Sequence, residues 1–230
     1  MAYTLITANR NYSSWSLRPW LLMTTLGIAF EDRIEPFVSM DNYAAFRAFS
    51  PTGQVPVLID GEKTVWDSLG IALYLGERHD GLWPTDPTAR AWAMCAATEM
   101  HGGFAALRNE RTMTVGQRVT PHDTSPRLAR DVARLAELWE EGLSRFGGPF
   151  LAGASFSAVD AFFAPVAFRV RTYDIDVGEA GARWVAWMLE QPAMRAWEAA
   201  ALAETFREAS HEAEVTAVGV VTEDHRALPS

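Results

Sequence analysis

One cysteine in 230 residues, Cys95, has no partner for an internal disulfide. The fold must therefore hold by burial alone, as chains kept in reducing compartments do. Basic residues are also scarce, 20 Lys and Arg against 29 Asp and Glu, for a net charge of −9. That balance argues against nucleic acid or an anionic membrane as partner. No apolar run approaches the ~18 residues of a membrane span. Met1 to Ala8 lacks the basic start and cleavage site of an export signal. A soluble, cytoplasmic protein is expected. The histidines at 79, 101, 122, 211 and 225 show no metal-ligand spacing, so no metal is expected. A glycine-rich phosphate loop and a dinucleotide fingerprint are missing too.

The composition is that of an ordinary globular chain, 49% hydrophobic and 21% charged. Its length suits one large domain or two small ones, with a sizeable core. The most informative stretch is Ser50 to Leu69. Thr52-Gly53-Gln54 forms a loop, Val55-Pro56 leads into the apolar run Val57-Leu58-Ile59, and Asp60-Gly61 turns the chain into Thr64-Val65-Trp66. An Asp-Gly turn between β-rich runs predicts a hairpin. Ser68 then stands ahead of Leu69, Ile71, Ala72 and Leu75 as a helix N-cap, with the Asp67 carboxylate near the positive helix end. A strand edge beside a helix N-terminus suits a short peptide carrying a carboxylate.

Gln54-Val55-Pro56-Val57-Leu58 followed by Asp67-Ser68 resembles the glutathione site of the cytosolic glutathione transferases. In that family the proline is cis, and the residue before it pairs its backbone with the cysteinyl part of glutathione. An acidic-Ser pair opening the third helix holds the γ-glutamyl end. The resemblance assigns those roles to Val55, Pro56, Asp67 and Ser68, with Gln54 as an added contact. Asp67 is one methylene shorter than the family's usual glutamate.

Upstream, Tyr3 to Thr7 reads as a strand. Ser13-Ser14-Trp15-Ser16-Leu17-Arg18-Pro19-Trp20 opens a helix that Gly27 ends. Pro19 is comfortable only in a first turn, so regular α-geometry is expected to begin near Ser16. Ile28 to Phe37 continues as strand and Asn42 to Phe49 as a short helix. The order β-α-β-α-β-β-α predicts a mixed sheet with helices packed on it. His79 to Pro87 is rich in turn signals. Beyond it the periodicity is helical, over Thr88–Arg108, Ser125–Phe146, Val159–Arg171, Gly178–Glu190 and Ala193–Glu204.

The plan is therefore α/β followed by all-α. It resembles the transferases' thioredoxin-like N-terminal domain (1–80) and all-helical C-terminal domain (88–210). Residues 211–230 form a tail whose last part, from Thr222, looks loose. Ser157-Ala158-Val159-Asp160 is a capping box, assigned to stability. Trp184, Trp187, Met188, Met194 and Trp197 read as core between helices, and Cys95 as a buried, inert thiol.

The chemistry such a chain needs is thiol activation. A free thiol titrates near 8.5, and a helix N-terminus with a hydrogen-bond donor lowers that. Ser13, Ser14 and Ser16 stand at the right helix start, as does Tyr12 just before it. The Ser-Ser-x-Ser-x-Arg spelling of Ser13 to Arg18 resembles the zeta class most among bacterial, serine-type transferases, with Trp15 where that class has cysteine. In serine-type members the donor lies about four turns before the glycine, at about 3.6 residues per turn, which points to Ser13 and leaves Ser14 open. Simple capping by all three serines is the plainer reading. Arg18 either orients this loop or is a surface charge.

The second substrate is expected between the first helix and the first long helix of the C-terminal half, among Tyr12, Trp15, His101, Phe104, Arg108 and Met113. Gly102-Gly103 weakens that helix by ~1 kcal/mol per glycine, which suggests a close approach. Core packing is the plainer role for Phe104 and helix packing for His101. Arg108 and Arg111 are candidates to receive an acidic substrate. The resemblance implies glutathione as co-substrate, a small electrophile and a two-fold homodimer. A glutathione-dependent cis-trans isomerase of the maleylacetoacetate or maleylpyruvate type keeps the same site. A non-catalytic binding module would have no use for it.

Overall fold

The computed structural model describes residues 3–39 and 41–229. Its N-terminal sheet has the order β2-β1-β3-β4, built from β1 (Tyr3–Thr7), β2 (Phe30–Ile34), β3 (Val57–Asp60) and β4 (Lys63–Trp66). β1 runs parallel to β2 and antiparallel to β3, with Leu5 opposite Leu58. β3 and β4 form the expected hairpin, turned at Gly61 with φ +60°. The short helix α2 (Tyr43–Phe46) lies between β2 and β3, covering less chain than Asn42 to Phe49.

Helix α1 (Ser14–Thr25) is the hub, packed against α3 (Ser68–Gly76) and two helices of the C-terminal half. It ends in a Schellman turn: Gly27 takes φ +67°, Gly27 N–H bonds Thr24 O, and Ile28 N–H bonds Met23 O. Pro19 lies inside this helix and does not delay it to Ser16. Ser16 to Met23 are all buried, so packing on every side outweighs the one backbone bond that proline forfeits.

The remaining elements are α4 (Pro87–Gly102), α5 (Ala105–Glu110), β5 (Gln117–Pro121), α6 (Pro126–Phe146), α7 (Ala158–Tyr173), α8 (Gly178–Leu189), α9 (Pro192–Ala203), α10 (Ala209–Val218) and β6 (Gly219–Asp224). α7 carries the densest core, with Phe162, Phe163 and Phe168 essentially inaccessible beside Trp139, Trp184 and Trp197. Each such ring contributes ~1.5–3 kcal/mol by burial. The capping box at its start is formed, and Asp160 also accepts Leu151 N–H at 2.9 Å and Trp184 Nε1–H at 3.4 Å. Burial pushes the Asp160 carboxyl up to about 6.

Four further expectations are corrected. The helix over Thr88–Arg108 breaks at Gly103 and Phe104, where Phe104 takes φ +52° and a Cβ on Gly103 would lie 2.7 Å from Glu99 O. The tail expected to be loose from Thr222 is held through Arg226, and Ser230 lies outside the described residues. The tail completes β6, which pairs antiparallel with β5 and buries Arg226. Trp187 is exposed, unlike its neighbours in the stripe. Cys95 faces solvent, because α4 buries Ala93, Ala96, Ala97 and Met100 instead. Among the described residues no helix is long and apolar enough to cross a membrane.

Candidate active site

One cleft of about 890 Å³ opens where the N-terminus of α1 meets both halves of the chain. Its floor is Tyr12, Ser13, Ser14 and Trp15. Residues 52–56 and 66–68 form one wall, and Arg108, Asn109, Thr112, Met113 and Arg169 form the other, with His211 and Glu214 above.

The first wall is mostly backbone. Gly53 has φ +67°, and a Cβ there would sit 2.5 Å from the Tyr43 ring, so the turn requires glycine. Gln54 N–H is tied to Ser50 Oγ at 3.1 Å. The Val55–Pro56 peptide is cis, and among the described residues neither N–H nor C=O of Val55 finds a partner. Asp67, at φ 68°, caps α3 by accepting Leu69 N–H at 2.7 Å and Gly70 N–H at 3.4 Å. Capping therefore falls to Asp67 and not to Ser68, the helix's first residue.

Behind this wall sits Arg18, 1% exposed, its Nη1 3.5 Å from Ser68 Oγ and its guanidinium 4.1 Å from the Trp15 ring. Burial, then repulsion from Arg169 and Arg108, lowers its pKa to about 9, so it stays charged at neutral pH. It is no surface charge. His101 Nε2 stands 3.4 Å from Asp67 Oδ2, with its ring edge-on to Trp15. Burial lowers the pKa of His101, leaving it neutral near pH 7.

At the floor, Ser13 is the N-cap residue of α1, yet its hydroxyl caps no backbone N–H. It donates to Ser16 Oγ at 2.7 Å, and Ser16 Oγ also accepts Ala8 N–H at 3.2 Å. The Tyr12 hydroxyl is spent on Glu212 at 2.6 Å, and burial with that bond raises its pKa further. The His211 ring stacks on Tyr12 at 4.8 Å and on Phe37 at 4.9 Å.

Two family models match this chain, the glutathione S-transferase N-terminal domain over residues 12–78 and the C-terminal domain over residues 123–200, together more than half of it. The chain belongs to the glutathione S-transferase family. A zeta class glutathione S-transferase from Euphorbia esula is 25% identical over 170 residues, 72% of this transferase and 76% of that one. A glutathione transferase homologue from Burkholderia, solved with bound glutathione, superposes with a TM-score of 0.65 at 19% identity, over 86% of this chain and 96% of that one. The theta class enzyme from Xanthomonas axonopodis pv. citri, also solved with glutathione, gives 0.63 at 24% identity over 85% and 96%. The fold is that of the family, a small mixed sheet followed by helices.

Of the site residues named from the transferase's sequence, Tyr12, Ser13, Ser14, Trp15, Gln54, Val55, Pro56, Asp67, Ser68, Arg108 and Met113 line the cleft. Phe104 does not; it is buried with its ring edge-on to Phe163 at 6.4 Å. His101 stands behind Asp67 and outside the lining. Arg111 is also turned away, giving Nη1 to Glu110 O and Nη2 to Asp123 O and Thr124 Oγ1. Its place is taken by Arg169, which the sequence reading missed. The available signal was a lone cation inside the apolar run from Ala158 to Val170.

Proposed function

We propose that this glutathione transferase lays glutathione along the Val55–Pro56 edge and ionises its thiol at Ser13 for attack on a small electrophile. The free peptide groups of Val55 would pair with the cysteinyl residue as an added strand. Asp67, with the α3 N-terminus, Ser68 and Gln54, would hold the γ-glutamyl amine and carboxylate. The observation that carries the role of Ser13 is its hydroxyl, set at a helix N-cap inside the cleft without capping anything. Ser16 already accepts Ala8 N–H, so its own proton can turn to Ser13 and free the Ser13 proton for sulfur. The helix N-terminus adds its positive end. Tyr12 is a poor rival, since its proton is committed to Glu212.

The thiolate then bonds to the electrophilic carbon, and the leaving group departs with its electron pair. We further place this activity in the cytoplasm, in a two-fold homodimer that removes reactive small molecules, without a metal. Turnover of Ser13→Ala should fall ~10²-fold while Ser14→Ala keeps most activity; the reverse result moves the role to Ser14. Calorimetry with glutathione should register binding in both variants, and its absence in the unaltered protein would remove the reading.

A further inference from the structure

We propose that the second substrate of this transferase is a small electrophile bearing a carboxylate, which Arg108 and Arg169 hold with its reacting carbon toward Ser13. The inference rests on the transferase reading and names the class of molecule its open wall accepts.

The first observation is which groups orient these two cations. Arg108 gives Nη1 to Met100 O at 3.2 Å and to Gly103 O. Arg169 gives Nε to Arg111 O at 2.7 Å and Nη1 to Pro165 O at 3.4 Å. All four acceptors are carbonyls, which aim a guanidinium without neutralising it. Among the described residues no carboxylate pairs with either arginine, and Arg169 Nη2 has no acceptor although the residue is only 4% exposed. Buried charges are ordinarily paired. Both residues line the same cleft as Ser13 and Ser14.

The second observation is mutual repulsion. Arg108 and Arg169 each depress the pKa of Arg18, and Arg108 also depresses that of Arg169, which burial brings to about 10. Positive charge is thus in surplus at the base of the cleft. Acidic groups relieve it only in part and without pairing: Asp67 favours the charge of Arg18 and Asp131 that of Arg108, while Asp131 accepts Leu107 N–H at 3.0 Å. Asp67 caps α3 and meets His101, Asp41 accepts Tyr43 N–H at 2.9 Å, and Glu214 is exposed on α10. A planar carboxylate fits a guanidinium bidentately and would supply the missing counter-charge.

Two chloroarenes of the same shape test this, para-chloro-meta-nitrobenzoate and its neutral carboxamide. In each, the thiolate sulfur bonds to the ring carbon, the displaced pair enters the ring and nitro group, and chloride leaves with the C–Cl pair. The native enzyme should favour the benzoate in kcat/KM by at least about tenfold, and added salt should erode that preference. Arg108→Gln and Arg169→Gln should each bring the ratio toward unity, with Arg169→Lys retaining part of it. Thermal unfolding of each variant checks that it folds, and the native ratio stands if one does not. Equal rates for acid and amide overturn the inference alone, since the cations would then serve only the thiolate. Conjugation of neither halide overturns it together with the transferase reading.

Discussion

The two walls of the cleft are made of different materials. The Val55 wall offers peptide groups, a capped helix end and short polar side chains. The Arg169 wall offers guanidinium groups fixed by carbonyls, from α5 and α7, under a roof from α10. Main-chain recognition tolerates sequence change around it, whereas a wall of side chains can be rewritten one residue at a time. The division suits a constant co-substrate on one side and a specific one on the other.

The sharpest break between the walls should come from Asp67→Ala. It removes the α3 cap, worth ~1 kcal/mol, together with the carboxylate proposed to hold the co-substrate amine. The kcat/KM for glutathione should fall roughly 10²-fold while the KM for the electrophile barely moves. An equal change in both constants would mean that the walls are one unit.

The same division explains what the sequence made legible. The Val55 wall comes from one continuous stretch, in which Gly53, Pro56, Asp60-Gly61 and Asp67-Ser68 each force a local geometry, so turn and cap rules reach it. Placing the cap on Ser68 and not Asp67 missed by one residue, because an aspartate at φ 68° cannot be told in advance from one in the preceding loop. The other wall and its roof are gathered from Arg108, Arg169 and His211, which only packing brings together. Arg108 and Arg111 look alike in sequence, and they part because the break at Gly103-Phe104 sets the direction of α5. β5 was invisible for a related reason. A five-residue strand whose partner is β6, a hundred residues on, carries little signal of its own. Arg18 was undecided because its burial depends on Trp15 and Phe162, the latter on a helix of the other half.

The roof offers a second way to separate the walls. Arg226 side-chain atoms are 2% exposed and bind Glu212 Oε1 at 2.6 Å and Asp224 Oδ2 at 2.6 Å, tying β6 to α10 and to Tyr12. Arg226→Ala leaves Glu212 short of its partner and should cost ~2 kcal/mol, discounted because both carboxylates reach solvent. A fall of about 5 °C in Tm is expected for a chain of this size. The KM for the electrophile should rise with it, and the KM for glutathione should not.

A smaller effect belongs to the first wall. Gly53→Ala puts a side chain at φ +67° against Tyr43, costing ~1–2 kcal/mol. Here the expected signature is reversed, a several-fold rise in the KM for glutathione at unchanged electrophile KM. A variant indistinguishable from the native enzyme would show that Tyr43 yields freely and that the turn is not tight.

The smallest effect concerns acid. Burial works to raise the Glu208 carboxyl, but bonds from the Ser210 hydroxyl, His211 N–H at 3.0 Å and the His211 ring at 2.7 Å outweigh it and hold the group at about 2. Its folded value lies below the ordinary carboxylate value, so the stability it gives is present above ~4.5 and is lost as pH falls toward 2. Glu208 caps α10, the helix that carries His211 over the cleft. Amide exchange along α10 should therefore quicken between pH 4.5 and pH 2 before exchange along α3 does. Glu208→Gln, which keeps an acceptor without the titration, should flatten that difference. Were α3 and α10 to loosen together in the native protein, the roof would have no stability of its own, and the two walls would rise and fall as one structure.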